Sequence, residues 1–335
     1  MNTRIYISTI IFLLVLSTFS HAQQSIVLDS LIQEAGNFAL SGTANSNFAL
    51  ELTSGDFNGD GIQDIVYTSS DNVGTGGADT RGITVLFGAN GLSSSGGTTV
   101  RFRLDPANPP SSFEFGTEAG SGDLNNDGID DLIVGVPEWD NEKGLLYVVY
   151  GKQVWPDAVV NLGSLTANDG FKVFGRIPEE PGNLGKAGSR LGDGYAIGDI
   201  DNDNLNDLYI SAPRSNTSFD QGSGAAYVIF GKAIQGNLEV DLDTLSENSG
   251  MVIHPSNPNE GVGNEAMFAD MTGDGIEDLL MVAENVWSQG RIHVIYGSSN
   301  LPDSLDLNST STSAMRGTIF GSISPPQTRF GKDID

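Results

Sequence analysis

Four short stretches of the chain carry the same oxygen-rich pattern, at intervals of about 70 residues. In the first, Asp56-Phe57-Asn58-Gly59-Asp60-Gly61-Ile62-Gln63-Asp64, side-chain oxygens stand at positions 1, 3, 5 and 9: Asp56, Asn58, Asp60 and Asp64. The same positions hold Asp123, Asn125, Asp127 and Asp131, then Asp199, Asp201, Asp203 and Asp207, and finally Asp270, Thr272, Asp274 and Asp278. Position 7 (Ile62, Ile129, Leu205, Ile276) is placed to offer a backbone carbonyl. Oxygen ligands so spaced in a tight loop suit a hard cation such as Ca²⁺. Gly61, Gly128 and Gly275 at position 6 permit the sharp turn between ligands, and Asn204 takes that place in the third loop. Asp, Asn and Gly are also ordinary turn formers. Four recurrences of one ligand spacing argue for a cation, without which the clustered carboxylates would repel one another. The expectation is up to four Ca²⁺ ions, with loop 3 (four carboxylates) richest in charge and loop 4 (Thr272) the weakest site.

The elements that must hold these loops are strands. An EF-hand would need Glu at position 12 and flanking helices, but that position is Tyr67, Val134, Ile210 and Met281, each inside a short apolar run. The ninth aspartate leads directly into β-type sequence, such as Leu132-Ile133-Val134 and Leu208-Tyr209-Ile210. Another strand ends each unit's central part alike, as in Leu86-Phe87-Gly88, Val149-Tyr150-Gly151, Ile229-Phe230-Gly231 and Ile295-Tyr296-Gly297. Continuous apolar character predicts burial on both faces. A further strand follows, over 171–174 and 251–254. About four strands per unit predict an all-β protein, a β-propeller of four-stranded blades.

The chain resembles the FG-GAP repeat family, whose units build the amino-terminal propeller of integrin α-subunits and occur in many exported bacterial proteins. Phe115-Gly116 stands at the family's "FG" and Gly135-Val136-Pro137 at its "GAP", with Asp123 to Asp131 as its calcium loop. The propeller attached to glycosylphosphatidylinositol-specific phospholipase D is similar too. The resemblance covers the chain from about residue 28 onward. It implies calcium in loops on one face, recognition of a partner on the opposite face, and a seven-bladed ring. Departures are Asn204, Thr272 and a decayed "GAP" at Thr68-Ser69-Ser70 and Val282-Ala283-Glu284; the lack of cysteine favours a bacterial relative.

The 335 residues hold 16 Lys+Arg against 43 Asp+Glu, a formal net charge of −27 that disfavours nucleic acid and anionic membrane as partners. With no cysteine, disulfides, thiol chemistry and Cys-zinc sites are excluded. Arg4, the apolar run Ile5 to Phe19, and Ser20 with Ala22 read as a signal peptide over 1–22, too short to span a bilayer. The expectation is a secreted or cell-surface protein with no transmembrane segment.

No catalytic signature stands out: G-x-S-x-G, H-E-x-x-H and Walker A are absent. His254 and His293 read as strand residues, and Trp139, Trp155 and Trp287 as packing residues. The chain therefore reads as a non-enzyme, a calcium-binding adhesion or interaction module for an extracellular protein or glycan. The alternative is the non-catalytic propeller of an exported hydrolase.

The units run over about 43–104, 112–175, 188–254 and 261–320, with a fifth opening near 329. Leu28-Asp29-Ser30-Leu31 with Gly36 matches Leu162-Gly163-Ser164-Leu165 with Gly170, and Leu242-Asp243-Thr244-Leu245 with Gly250. Residues 23–42 are thus expected to close a ring as the last strand of its final blade. An incomplete ring would leave edges open to self-assembly.

Overall fold

The computed structural model describes residues 47–70, 81–88, 99–103, 118–175, 190–213, 224–234, 236–240, 242, 245, 249–255, 262–283, 291–307 and 316–320. The expected signal peptide, the closing segment 23–42, the start of a fifth unit, Phe115-Gly116 and Trp287 lie outside them.

Four antiparallel sheets follow one another along the chain, each meandering from strand to neighbouring strand. The first joins β1 (Asn47–Gly55), β2 (Asp64–Ser70), β3 (Arg81–Leu86) and β4 (Thr99–Arg103). The second joins β5 (Glu118–Gly122), β6 (Asp131–Val136), β7 (Leu145–Val149) and β9 (Gly170–Phe174). The third joins β10 (Tyr195–Gly198), β11 (Asp207–Ala212), β12 (Ala225–Ile229) and β14 (Gly250–His254). The fourth joins β15 (Val262–Ala269), β16 (Asp278–Ala283), β17 (Arg291–Ile295) and β19 (Arg316–Phe320). Four-stranded meanders stacked in chain order are propeller blades.

In blades 2 and 3 the second and third strands have neighbouring sheets on both faces. Every residue of β6, β7, β11, β12 and β16 is buried, as their unbroken apolar sequences predict. The cores lie between blades. Phe57, Val66, Ile83 and Phe102 of blade 1 pack with Leu132, Val134 and Tyr147 of blade 2. Ile133, Leu146 and Phe171 then meet Leu208 and Ile210 of blade 3. Tyr209, Val228 and Met251 meet Leu279, Met281 and Ile295 of blade 4. A blade alone would expose both faces, so each is stable only against its neighbours.

Three sheets carry a fifth strand that the sequence did not disclose. β8 (Val159–Asn161) leaves blade 2 to run parallel to β4 of blade 1. β13 (Glu239–Val240) does the same for β9, and β18 (Ser304–Asp306) for β14. Each comes from the connection that leads into a blade's own last strand, so these three connections also clasp the blade before.

His254 and His293 are strand residues, in β14 and β17. Trp155 meets Phe102 edge-on at 5.4 Å and its Nε1 donates to the Phe57 carbonyl, while Trp139 packs on Phe174. No helix among the described residues is long and apolar enough to cross a membrane.

Candidate metal centres

Each acidic loop joins the first strand of a blade to its second, so all four occupy equivalent places at one end of the stacked sheets. The turn is built by two left-handed residues. Position 6 has positive φ in every loop: Gly61, Gly128, Asn204 (φ 64°) and Gly275. So does position 4, through Gly59, Asn126, Asn202 and Gly273. Gly and Asn are the residues that enter this region at least cost, which explains why these two positions hold nothing else here.

The first aspartate closes the loop from within. Asp56 accepts the amide of Asp60 at Oδ1 and that of Gly61 at Oδ2. Asp123 does so from Asp127 and Gly128, Asp199 from Asp203 and Asn204, and Asp270 from Asp274 and Gly275. The aspartate at position 5 accepts the position-7 amide in each loop. These bonds hold the loop curled with its oxygens gathered, the arrangement a cation needs.

The ninth aspartate is buried in all four loops and does a second job. One oxygen of Asp64 accepts from Phe57 N and the other from Gly88 N; Asp131 bridges Leu124 and Gly151, and Asp207 bridges Ile200 and Gly231. Asp278 likewise bridges Met271 and Gly297. The loop entrance is thereby stapled to the end of the third strand, which gives the repeated Phe/Tyr-Gly ending its partner. Burial pushes the carboxyls of Asp131 and Asp207 up to about 7, against the pull of the two N–H donors. Asp64 is raised by burial too.

Loop 3 gathers the most charge. Ligand oxygens of Asp199, Asp201 and Asp207 lie within 4.8 Å of one another. Asp201 is 6 % exposed, and its Oδ1 is buried with no hydrogen-bond partner. An orphaned carboxylate oxygen inside a cluster of carboxylates is stabilised by a cation or by uptake of a proton, and an all-oxygen donor set suits a hard cation. The other oxygen, Oδ2, receives Lys232 Nζ at 2.7 Å. Lys232 follows the Phe230-Gly231 strand ending, so the one loop with an aspartate at position 3 also has an ammonium beside it. That hydrogen bond raises the Lys232 pKa. Loops 1 and 2 place the amides of Asn58 and Asn125 where Asp201 stands, and each Asn Oδ1 accepts the position-5 amide.

Loop 4 is the most open. Its second residue, Met271, is 54 % exposed, whereas Phe57, Leu124 and Ile200 at that position are buried against the following blade. Thr272 donates its amide to Asp278 alongside Met271.

Two segments, 115–149 and 192–229, match the FG-GAP repeat, and each contains one of these loops with the strands that follow it. The chain carries FG-GAP repeats. It is 29% identical over 258 residues to integrin alpha pat-2 of Caenorhabditis elegans, covering 72% of this chain and 18% of that one. Over 166 residues it is 28% identical to mouse phosphatidylinositol-glycan-specific phospholipase D, and over 197 residues 27% identical to the human protein. These alignments cover 48% and 56% of this chain, and 17% and 21% of the relatives. The FG-GAP chain thus spans about a fifth of the length of the relatives it matches.

Proposed function

We propose that this FG-GAP chain is a secreted, calcium-stabilised interaction module that binds an extracellular protein or glycan and performs no catalysis itself. The observation that carries the reading is the carboxylate cluster of loop 3, with Asp201 Oδ1 buried and unpartnered, on a scaffold that the other three loops repeat. The residues that would hold the ion are the oxygens at positions 1, 3, 5 and 9 with the position-7 carbonyl. A divalent ion there supplies charge neutralisation and fixes the first-to-second strand turn of each blade. Partner recognition is assigned to the opposite end of the blades, where the connection between β6 and β7 is a one-turn helix, α1 (Trp139–Glu142). There Lys143 lies over the Trp139 and Phe174 rings, and Arg190 from the next unit pairs with Glu138, Glu142 and Asp193.

Probing immobilised protein with glycan arrays and extracellular-matrix proteins tests the reading. Binding that is saturable in calcium and lost in chelator is the expected result. Binding indifferent to chelator, or hydrolase activity in the purified chain, would count against it. The similarity to phosphatidylinositol-glycan-specific phospholipase D supports a second reading, a propeller accompanying a hydrolase. A hydrolase activity carried on the same polypeptide in material from the native source would favour that reading.

A further inference from the structure

The loops are not isolated from one another. In loop 2 the eighth residue, Asp130, accepts the amide of Asp56 in loop 1 at 2.7 Å through Oδ2, and its own amide donates to the Asp56 carbonyl at 3.0 Å. In loop 4 the eighth residue, Glu277, accepts the amide of Asp199 in loop 3 at 2.8 Å. In loop 3 the eighth residue, Asn206, donates Nδ2 to the carbonyl of Asp123 in loop 2 at 2.7 Å. At all three junctions, then, one side chain reaches back and grips the main chain of the first aspartate in the preceding loop. The backbone adds to this, with Lys152 N donating to Phe57 O and Ser298 N to Ile200 O.

The approach is close enough to dictate a residue type. A Cβ on Gly198 would lie 2.4 Å from Glu277 Oε2, and one on Gly55 3.0 Å from Asp130 Oδ2. The glycine before the first aspartate makes room for the next blade: for Glu277 and equally Phe268 at Gly198, for Asp130 and equally Ser121 at Gly55, and for Ile197 rather than Asn206 at Gly122. In loop 4, where no described residue makes such a contact, that position is Ala269.

We infer that Asp130, Asn206 and Glu277 are positioning residues that couple each cation loop to the loop of the preceding blade, so that filling one raises the affinity of the other. This rests on the loops binding calcium, as proposed above. The eighth residue sits between position 7, which offers its carbonyl, and position 9, another ligand. An ion in loop 4 fixes Glu277 from both sides, and Glu277 in turn fixes the Asp199 main chain from which a loop-3 ligand projects. By linkage the effect is the same in the other direction. Charge works the same way at two junctions. Asp130 and Glu277 are carboxylates held against a loop that is already acidic, and an ion in that loop removes the repulsion. Asn206 is neutral, so loops 1 and 2, and loops 3 and 4, form the strong pairs, with a weaker link between loops 2 and 3. Repulsion between ions does not cancel this, because each loop retains negative charge after taking up a divalent ion, and salt screens what remains.

Methyl NMR on the full chain tests the coupling loop by loop, because position 7 is Ile62, Ile129, Leu205 and Ile276, a natural methyl reporter in each. Calcium is titrated into the unsubstituted protein, Asp274→Ala (loop 4 disabled), Glu277→Ala, and the two combined. The expected result is that Asp274→Ala moves the Leu205 midpoint to at least about fivefold higher calcium, and that this displacement disappears in the Glu277→Ala background. Glu277→Gln, which keeps an acceptor for Asp199 N–H, restores at least part of it, and Gln63→Ala, at the exposed eighth position of loop 1, changes nothing. A Leu205 midpoint that Asp274→Ala displaces equally with and without the Glu277→Ala substitution, or does not displace at all, overturns the coupling while leaving calcium binding intact. Methyls that do not respond to calcium in the unsubstituted protein would instead overturn the proposed function, and the coupling with it.

Discussion

Lys232 and Asp201 pose a competition. The ammonium sits on one oxygen of a buried carboxylate whose other oxygen has no partner, and a divalent ion in loop 3 must share or displace it. Lys232→Met should lower the metal-free melting temperature, by a destabilisation of about 1 kcal/mol since the lysine is partly solvated. It should also move the Leu205 methyl midpoint to lower calcium, several-fold. An unchanged or higher midpoint would show that Lys232 does not compete. Protons compete as well. Asp131 and Asp207 titrate near 7 when folded against 3.8 unfolded. Between those values the folded state holds more protons than the unfolded chain, so metal-free stability falls as pH rises across that window. A bound ion keeps the carboxylates ionised and removes this loss. The gain in melting temperature on adding calcium should therefore be larger at pH 8 than at pH 5, and equal gains would contradict the account. The acidic ligand pattern was legible because it is local and repeats. The left-handed position 4 was equally in view as Gly59, Asn126, Asn202 and Gly273, although it contributes no ligand oxygen to the pattern. The eighth position was not legible. Gln63, Asp130, Asn206 and Glu277 share no single chemistry, since the group each must present is set by the blade before it.

Among the elements, the ordinary blade strands could be read from their apolar runs, and the continuously buried ones most directly. The clasping strands β8, β13 and β18 could not. They are two or three residues long, and what makes them strands is a parallel partner in the preceding blade. Leu162-Gly163-Ser164-Leu165 was recognisable as a recurring lead-in to a last strand, but Val159–Asn161 before it gave no local sign of pairing elsewhere. Leu305, in β18, is buried among residues of blades 3 and 4. Leu305→Ala should destabilise the protein by about 2–5 kcal/mol and lower amide-exchange protection in β14, measured by denaturant unfolding and hydrogen exchange. A loss under about 1 kcal/mol, with β14 protection intact, would show that the clasp contributes little.

Across the whole molecule, the hydrophobic contacts lie between blades and the acidic loops gather at one end of the same blades. Packing and charge therefore oppose each other: stacking the sheets brings the carboxylates of successive loops together in a chain of net charge −27. A divalent ion in each loop would resolve that conflict, which is the physical content of the proposal that this module is calcium-stabilised. The direct test is thermal unfolding of metal-free protein with and without saturating Ca²⁺. Preferential binding to the folded state predicts a clear rise in melting temperature, each independent site adding about 2.7 kcal/mol at free calcium a hundred times its Kd. The rise should be reduced by Asp203→Ala. Coincident melting curves in calcium and in chelator would contradict the account.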